Sequence, residues 1–111
     1  MDIKNLKTIV CAWAQSKGGV IQRIWLFGST ARGNVTKGSD IDLAMEIRVG
    51  TTGGVDESGG FANWALISDG WDSELSELLG REVQVEFYAG PETPIINQAV
   101  SKDGILLFPF K

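Results

Sequence analysis

Apolar residues in the first fifteen positions recur at spacings of three and four. Ile3, Leu6, Val10 and Trp13 therefore fall on one helical face. Asp2 is a candidate N-cap and Gly18-Gly19 a candidate stop. The period then changes. The run "VIQRIWLF" (20–27) is β-branched and aromatic and reads as a strand. "GSTARG" follows as a turn into a short helix. "SDIDLAMEI" (39–47) alternates strictly, with Asp40, Asp42, Ala44 and Glu46 on one face and Ile41, Leu43, Met45 and Ile47 on the other. It reads as a second strand with one buried face. Residues 48–60 hold five glycines and read as a loop. Residues 61–79 read as helix, bent or broken near Asp69-Gly70, with Gly80 as C-cap. "REVQVEFY" (81–88) gives a third strand, with Val83, Val85 and Phe87 on one face and Gln84 and Glu86 on the other. "AGPETP" turns, 95–101 forms a short helix, and "GILLFPF" closes the chain in extended form.

Asp40 and Asp42 do not fit a plain amphipathic strand. They point the same way, about 6–7 Å apart along the chain. Like charges at that distance raise each other's pKa, and a buried carboxylate without a partner is costly. A solvated sheet face accounts for such a pair. So does a divalent cation, because hard cations such as Mg²⁺ take oxygen ligands and are completed by substrate phosphates.

The upstream residues add the second half of a site. "GST" follows a strand and opens a helix, where free backbone N–H groups and the helix dipole bind phosphate. Gly28 permits a tight turn and close backbone approach. Ser29 offers a hydroxyl, and Arg32, one turn on, a guanidinium that suits phosphate geometry. Each alone reads equally as a cap or a surface charge. Together they set an anion site beside a cation site, which is what a nucleoside triphosphate with its metal requires.

Composition narrows the chemistry. The chain has 111 residues, which suits one domain, 1–111, with one modest core. Its net charge of −4 argues against a broad nucleic-acid face, though not against a nucleotide. It contains no histidine, so Ser-His-Asp triads, His-ligated zinc and His general bases are excluded. The single cysteine, Cys11, allows no intramolecular disulfide, which is compatible with a reducing compartment. The N-terminus lacks a signal-peptide core, and no stretch approaches a membrane span. A soluble, cytoplasmic protein with no membrane association is expected.

Gly28-Ser29, ten residues, then Asp40-Ile41-Asp42 resembles the signature of the DNA polymerase β-type nucleotidyltransferase superfamily. "LFGSTARGNVTKGSDIDLAM" is similar in particular to the minimal nucleotidyltransferases of bacteria and archaea. The resemblance is close over 26–45 and loose over the rest. It implies an α+β fold, a small mixed β-sheet with helices packed mainly on one face. It implies transfer of a nucleoside monophosphate, usually AMP from ATP, to a hydroxyl, with two Mg²⁺ ions held by carboxylates and triphosphate. By position, Asp40 and Asp42 are the expected metal ligands. Gly28, Ser29 and Arg32, with Ser39 beside the acidic pair, are the expected nucleotide contacts.

The family usually carries a third carboxylate on a following strand. Aligned on "LLGREV", that position falls at Gln84, which can offer a metal only a neutral carbonyl. Glu86, one pleat further on the same face, has the right chemistry and is the expected third metal ligand and catalytic base. Minimal members often pair with a separately encoded helical HEPN protein in toxin–antitoxin systems, so such a partner, with the chain as antitoxin, is expected. A small hydroxylated acceptor, or a catalytically silent partner-binding subunit, are the alternatives. Four tryptophans stand in the sequence. Trp64 and Trp71, two helical turns apart with Phe61 nearby, form a stripe that serves either as core face or as a docking surface for a helical partner.

Overall fold

The computed structural model describes residues 3–17, 20–28, 40–47 and 61–109, with only the backbone at 61–63 and 91. Asp2, Gly18-Gly19, the "STARG" turn and the glycine-rich 48–60 segment lie outside the described residues. The elements are α1 (Ile3–Gln15), β1 (Ile21–Phe27), β2 (Ile41–Ile47), α2 (Phe61–Ile67), α3 (Trp71–Leu79), β3 (Val83–Phe87), a 3₁₀ turn (Gly90–Glu92), α4 (Pro94–Asp103) and β4 (Ile105–Phe108). The expected 61–79 helix is two helices. Gly70 takes φ 83°, a left-handed conformation that ends one helix and lets the chain re-aim before Trp71. Gly80 ends α3 at φ 65°, as its C-cap position requires.

The sheet is mixed, in the order β3-β2-β1-β4. β1 runs antiparallel to β2 and β4, while β2 and β3 are parallel. A bulge lies between Ile21 and Arg23 in β1. The extra residue resets the alternation, so Ile21 and Ile24, three apart, both reach the core. One face of the sheet carries Ile24, Leu26, Ile41, Leu43, Met45 and Val83 into the main core against the helices. Ten of the largest core side chains are under 2 % exposed, and at about 1.5–3 kcal/mol each their burial dominates the favourable folding terms.

Trp13, Trp64 and Trp71 belong to that core. Trp71 meets Trp13 edge-on at 5.3 Å and Trp64 at 5.5 Å, and Trp64 packs on Phe87 at 5.7 Å. The stripe is therefore the core face. Trp64 and Trp71 are 7 % and 4 % exposed, so the docking reading of these two residues is overturned. Apolar area of that size is better satisfied inside the fold than left in water.

The opposite face departs from the expectation of a single buried face. Ala44 is fully buried and joins Phe27 and Val100 in a second, smaller cluster, with Trp25, Tyr88 and Ile96 packed around it. α4 thus covers part of the face that bears Asp42 and Glu46. Among the described residues no helix is long and apolar enough to cross a membrane.

Candidate active site

The strand registers lay out the polar face in rows. In the first row, Gln84 of β3, Asp42 of β2 and Phe27 of β1 stand abreast. The next row is Glu86, Ala44 and Trp25. Asp40 stands one pleat before Asp42, just ahead of β2, where Ile41 N–H makes the first bond to Glu82 C=O. The alternation that looked anomalous in the sequence therefore puts Asp40 and Asp42 on the same face of the sheet as Glu86, which stands one row beyond Asp42 on β3. Asp42 is half-buried and Glu86 exposed.

Gly28 closes β1 at φ 79° and is required there twice. The left-handed backbone favours glycine. A Cβ at this position would also stand 2.6 Å from Asp42 Oδ2, so any side chain would displace that carboxylate. The close backbone approach expected at Gly28 is thus, among the described residues, an approach to Asp42. Ser29, Arg32 and Ser39 lie outside the described residues.

The electrostatics follow from this crowding. Partial burial lifts the Asp42 carboxyl above its ordinary value, and the neighbouring Asp40 charge pushes it the same way. Glu86 is also raised, by desolvation against the sheet and then by the charges of Asp42 and Asp72. Because Glu86 is exposed as a residue, its desolvation is partial, and the two like charges work with it. Neither Asp42 nor Glu86 has an ion-pair partner among the described residues. Gln84 donates its Nε2–H to Asp40 Oδ2 at 3.2 Å.

Among the described residues, no three acidic, cysteine or histidine side chains converge tightly enough to form a metal cage by themselves. Asp40, Asp42 and Glu86 are spread over three pleats of two strands. In register, Gln84 stands beside Asp42. Glu86 is one row further and within electrostatic reach of Asp42.

On the β3 side an open groove of about 390 Å³ runs from Gln84 and Glu86 along Glu82 to Asp72, Ser73 and Ser76 of α3. Gly28 flanks Asp42 from the β1 side. The sheet order thus puts the glycine turn and the groove on opposite sides of β2. Sequence reasoning missed Asp72. It sits on an amphipathic helix 14 positions from Glu86, and only the packing of α3 beside β3 brings the two charges together.

The family model described as nucleotidyltransferase domain matches residues 3–105. No curated protein matches the chain by sequence. Among solved structures, a chain of a toxin–antitoxin complex with AMP-PNP superposes with a TM-score of 0.64 at 22% identity, over 95% of this chain and 74% of that one. A chain from the complex of the tri-AMPylated Shewanella oneidensis HEPN toxin with its MNT antitoxin gives 0.59 at 20% identity, over 96% and 72%. A chain of the MntA-HepT toxin–antitoxin complex gives 0.58 at 20% identity, over 96% and 73%.

Proposed function

The chain belongs to the nucleotidyltransferase domain family, and from that premise we propose that it transfers AMP from ATP to a hydroxyl of a separately encoded helical HEPN-type protein, as the antitoxin of a toxin–antitoxin pair. The observation that carries this reading is the contact between Gly28 and Asp42. It sets a turn suited to phosphate against a carboxylate that shares its face with Asp40 and Glu86. The neighbours solved with AMP-PNP and with an AMPylated HEPN toxin support the nucleotide and the partner.

The donor set fits magnesium. Asp42 is raised by burial and by Asp40, Glu86 by desolvation and by Asp42 and Asp72, and a hard divalent cation with oxygen ligands would relieve that repulsion. Asp40 and Asp42 would hold the metal, with Glu86 in reach. Bound Mg²⁺, two ions in this reading, would supply charge neutralisation to the triphosphate and to the developing charge of the transfer. The chain's own residues do the rest. Gly28 and Ser29 would seat the terminal phosphates, with Arg32 and Ser39 as further nucleotide contacts. The acceptor enters by the groove between β3 and α3. Glu86, its carboxyl raised above the ordinary value by desolvation and then by the charges of Asp42 and Asp72, takes the hydroxyl proton.

One observation favours a second reading. The side chain abreast of Asp42 is the neutral Gln84, which suits a subunit that binds nucleotide and partner without transfer. Incubation with labelled ATP and Mg²⁺, with and without the helical protein encoded beside this chain, decides between them. Label should move onto that protein, and Asp42→Asn should slow the transfer at least roughly 100-fold. Binding of both molecules with no movement of label selects the silent subunit. Label carried by a small molecule selects a small hydroxylated acceptor.

A further inference from the structure

β3 ends the sheet on one side, since in the order β3-β2-β1-β4 it has a strand neighbour on one edge only. A parallel ladder bonds alternate residues of a strand to the same neighbour. Ile41 N–H bonds Glu82 C=O and Tyr88 N–H bonds Met45 C=O, so the even-numbered residues of 82–88 turn their backbone groups toward β2. The odd-numbered residues turn theirs outward. Val83 N–H finds Ser76 Oγ of α3 there, at 2.9 Å. Val85, in the middle of β3, has no hydrogen-bond partner on that edge among the described residues. The groove of about 390 Å³ runs along this stretch, lined by 82–86 and by Asp72, Ser73 and Ser76. An open strand edge beside a groove is a template for a second extended chain.

Charge narrows the occupant. The charged side chains lining the groove among the described residues are all acids: Asp72, Glu82 and Glu86. A second copy of this chain, paired through the same edge, would bring those acids against their own equivalents, and like charges across a strand pair are destabilising. A cationic segment is attracted by the same field. Alternation then places its side chains. Neighbouring strands lie about 4.8 Å apart, and residues in one row share a face. A side chain of an added strand in the row of Glu86 would therefore lie beside that carboxylate, on the face that carries Asp42.

We propose that the outer edge of β3 docks an extended, lysine- or arginine-rich segment of the acceptor protein by strand addition, with Val85 N–H and C=O bonding its backbone and its hydroxyl residue in the row of Glu86. The inference rests on the reading of this chain as a transferase with a protein acceptor, and adds the conformation and charge of the segment it takes.

The test uses fluorescein-labelled, end-blocked peptides with lysine at alternate positions and one central threonine. The controls are the same peptide with glutamate for lysine, and the lysine peptide with its central amides N-methylated. Anisotropy is followed with Mg²⁺ and a non-hydrolysable ATP analogue present. The lysine peptide should bind, and more weakly as salt is raised. The glutamate peptide should bind roughly 10-fold more weakly or worse, and the N-methylated peptide roughly 3–10-fold more weakly. Val85→Pro removes the outward N–H and leaves the β2 ladder, to which that N–H does not contribute. It should weaken the lysine peptide by a similar factor, as should Glu82→Lys. No measurable binding of the lysine peptide, equal binding of the lysine and glutamate peptides, full binding of the N-methylated peptide, or wild-type affinity in folded Val85→Pro overturns the proposal. If the unfolding temperature shows that Val85→Pro does not fold, the N-methylated peptide and Glu82→Lys decide. Labelled ATP separates this inference from the reading beneath it. Edge-dependent binding with no label moved to the peptide or to the helical protein encoded beside this chain upholds the docking edge and removes the transferase reading. Transfer to that helical protein at the wild-type rate by both Glu82→Lys and folded Val85→Pro keeps the transferase reading and overturns the docking edge.

Discussion

The polar face of β2 is built differently at its two ends. At the Glu46 end, β1 supplies donors: Arg23 Nη1 at 2.9 Å and Trp25 Nε1 at 3.1 Å both bond the Glu46 carboxylate. Glu74 on α3 is treated in the same way. Lys17 Nζ at 2.7 Å and Trp13 Nε1 at 3.1 Å share its Oε1, and those two hydrogen bonds hold its carboxyl below the ordinary value. At the Asp42 end, by contrast, the charged neighbours among the described residues are acids. Asp42 and Glu86 are both raised, and no cation among the described residues pairs with either. Where a carboxylate ties elements together, the fold gives it donors. Asp42 and Glu86 have no such tie among the described residues.

Changes to catalysis should break the two ends apart most clearly. Glu86→Gln should slow transfer roughly 10²–10⁴-fold, the scale of a lost proton acceptor. Glu46→Gln keeps an oxygen that can accept from Trp25 Nε1 and should alter the rate only a few-fold. Transfer of labelled AMP to the acceptor reads both, and equal losses would erase the distinction between the ends.

Stability should separate them with opposite signs. Glu46→Ala leaves the half-buried Trp25 N–H without its acceptor and should destabilise by about 1 kcal/mol. Asp42→Asn removes one of two repelling charges and should leave the metal-free protein as stable as the wild type or more so. Urea unfolding midpoints at neutral pH check both, and destabilisation of similar size in the two variants would contradict the contrast.

The smallest expected effect is on pH dependence. Asp42 and Glu86 have raised folded-state pKa values. Their contribution favours the fold below the ordinary carboxylate range and is lost as pH rises through the raised values. Glu74 runs the other way, its contribution being present above the ordinary Glu value and lost as pH falls through the lowered one. Asp42→Asn should therefore gain on the wild type near neutral pH, with the gap closing on acidification. Glu74→Gln should lose to the wild type near neutral pH, with that gap closing at lower pH. Since Glu74 is exposed, its effect should be small and fade with salt. Thermal unfolding between about pH 3 and 7 follows both.

Much of this was legible along the chain because the period of apolar residues is a local property. The 3.6-residue recurrence gave α1 its buried Leu6, Val10 and Trp13, and strict alternation gave β2 its core face and its acidic face. Gly70 and Gly80 marked a helix break and a helix end, since only glycine adopts positive φ without strain. The spacing from Gly28 to Asp40 and Asp42 pointed to a triphosphate and metal site. That Trp64 and Trp71 share a stripe was equally legible, but what the stripe faces was not. Burial depends on which elements arrive opposite: α1 brings Trp13 to Trp71 from 58 positions away, and β3 brings Phe87 to Trp64 from 23 positions away.

The sequence by itself determined the order of elements, the two-faced β2, and the residue types able to hold phosphate and metal. Each of these follows from neighbours within one turn or one pleat. Only the tertiary structure decided which side chain stands abreast of Asp42. A shift of two residues in a parallel register keeps every apolar group on the core face, so the pattern Val83, Val85, Phe87 is equally satisfied with Gln84 or Glu86 beside Asp42. The choice was made by the packing of α3 on β3 and by the ladder from Ile41 to Glu82, whose energies no local pattern records.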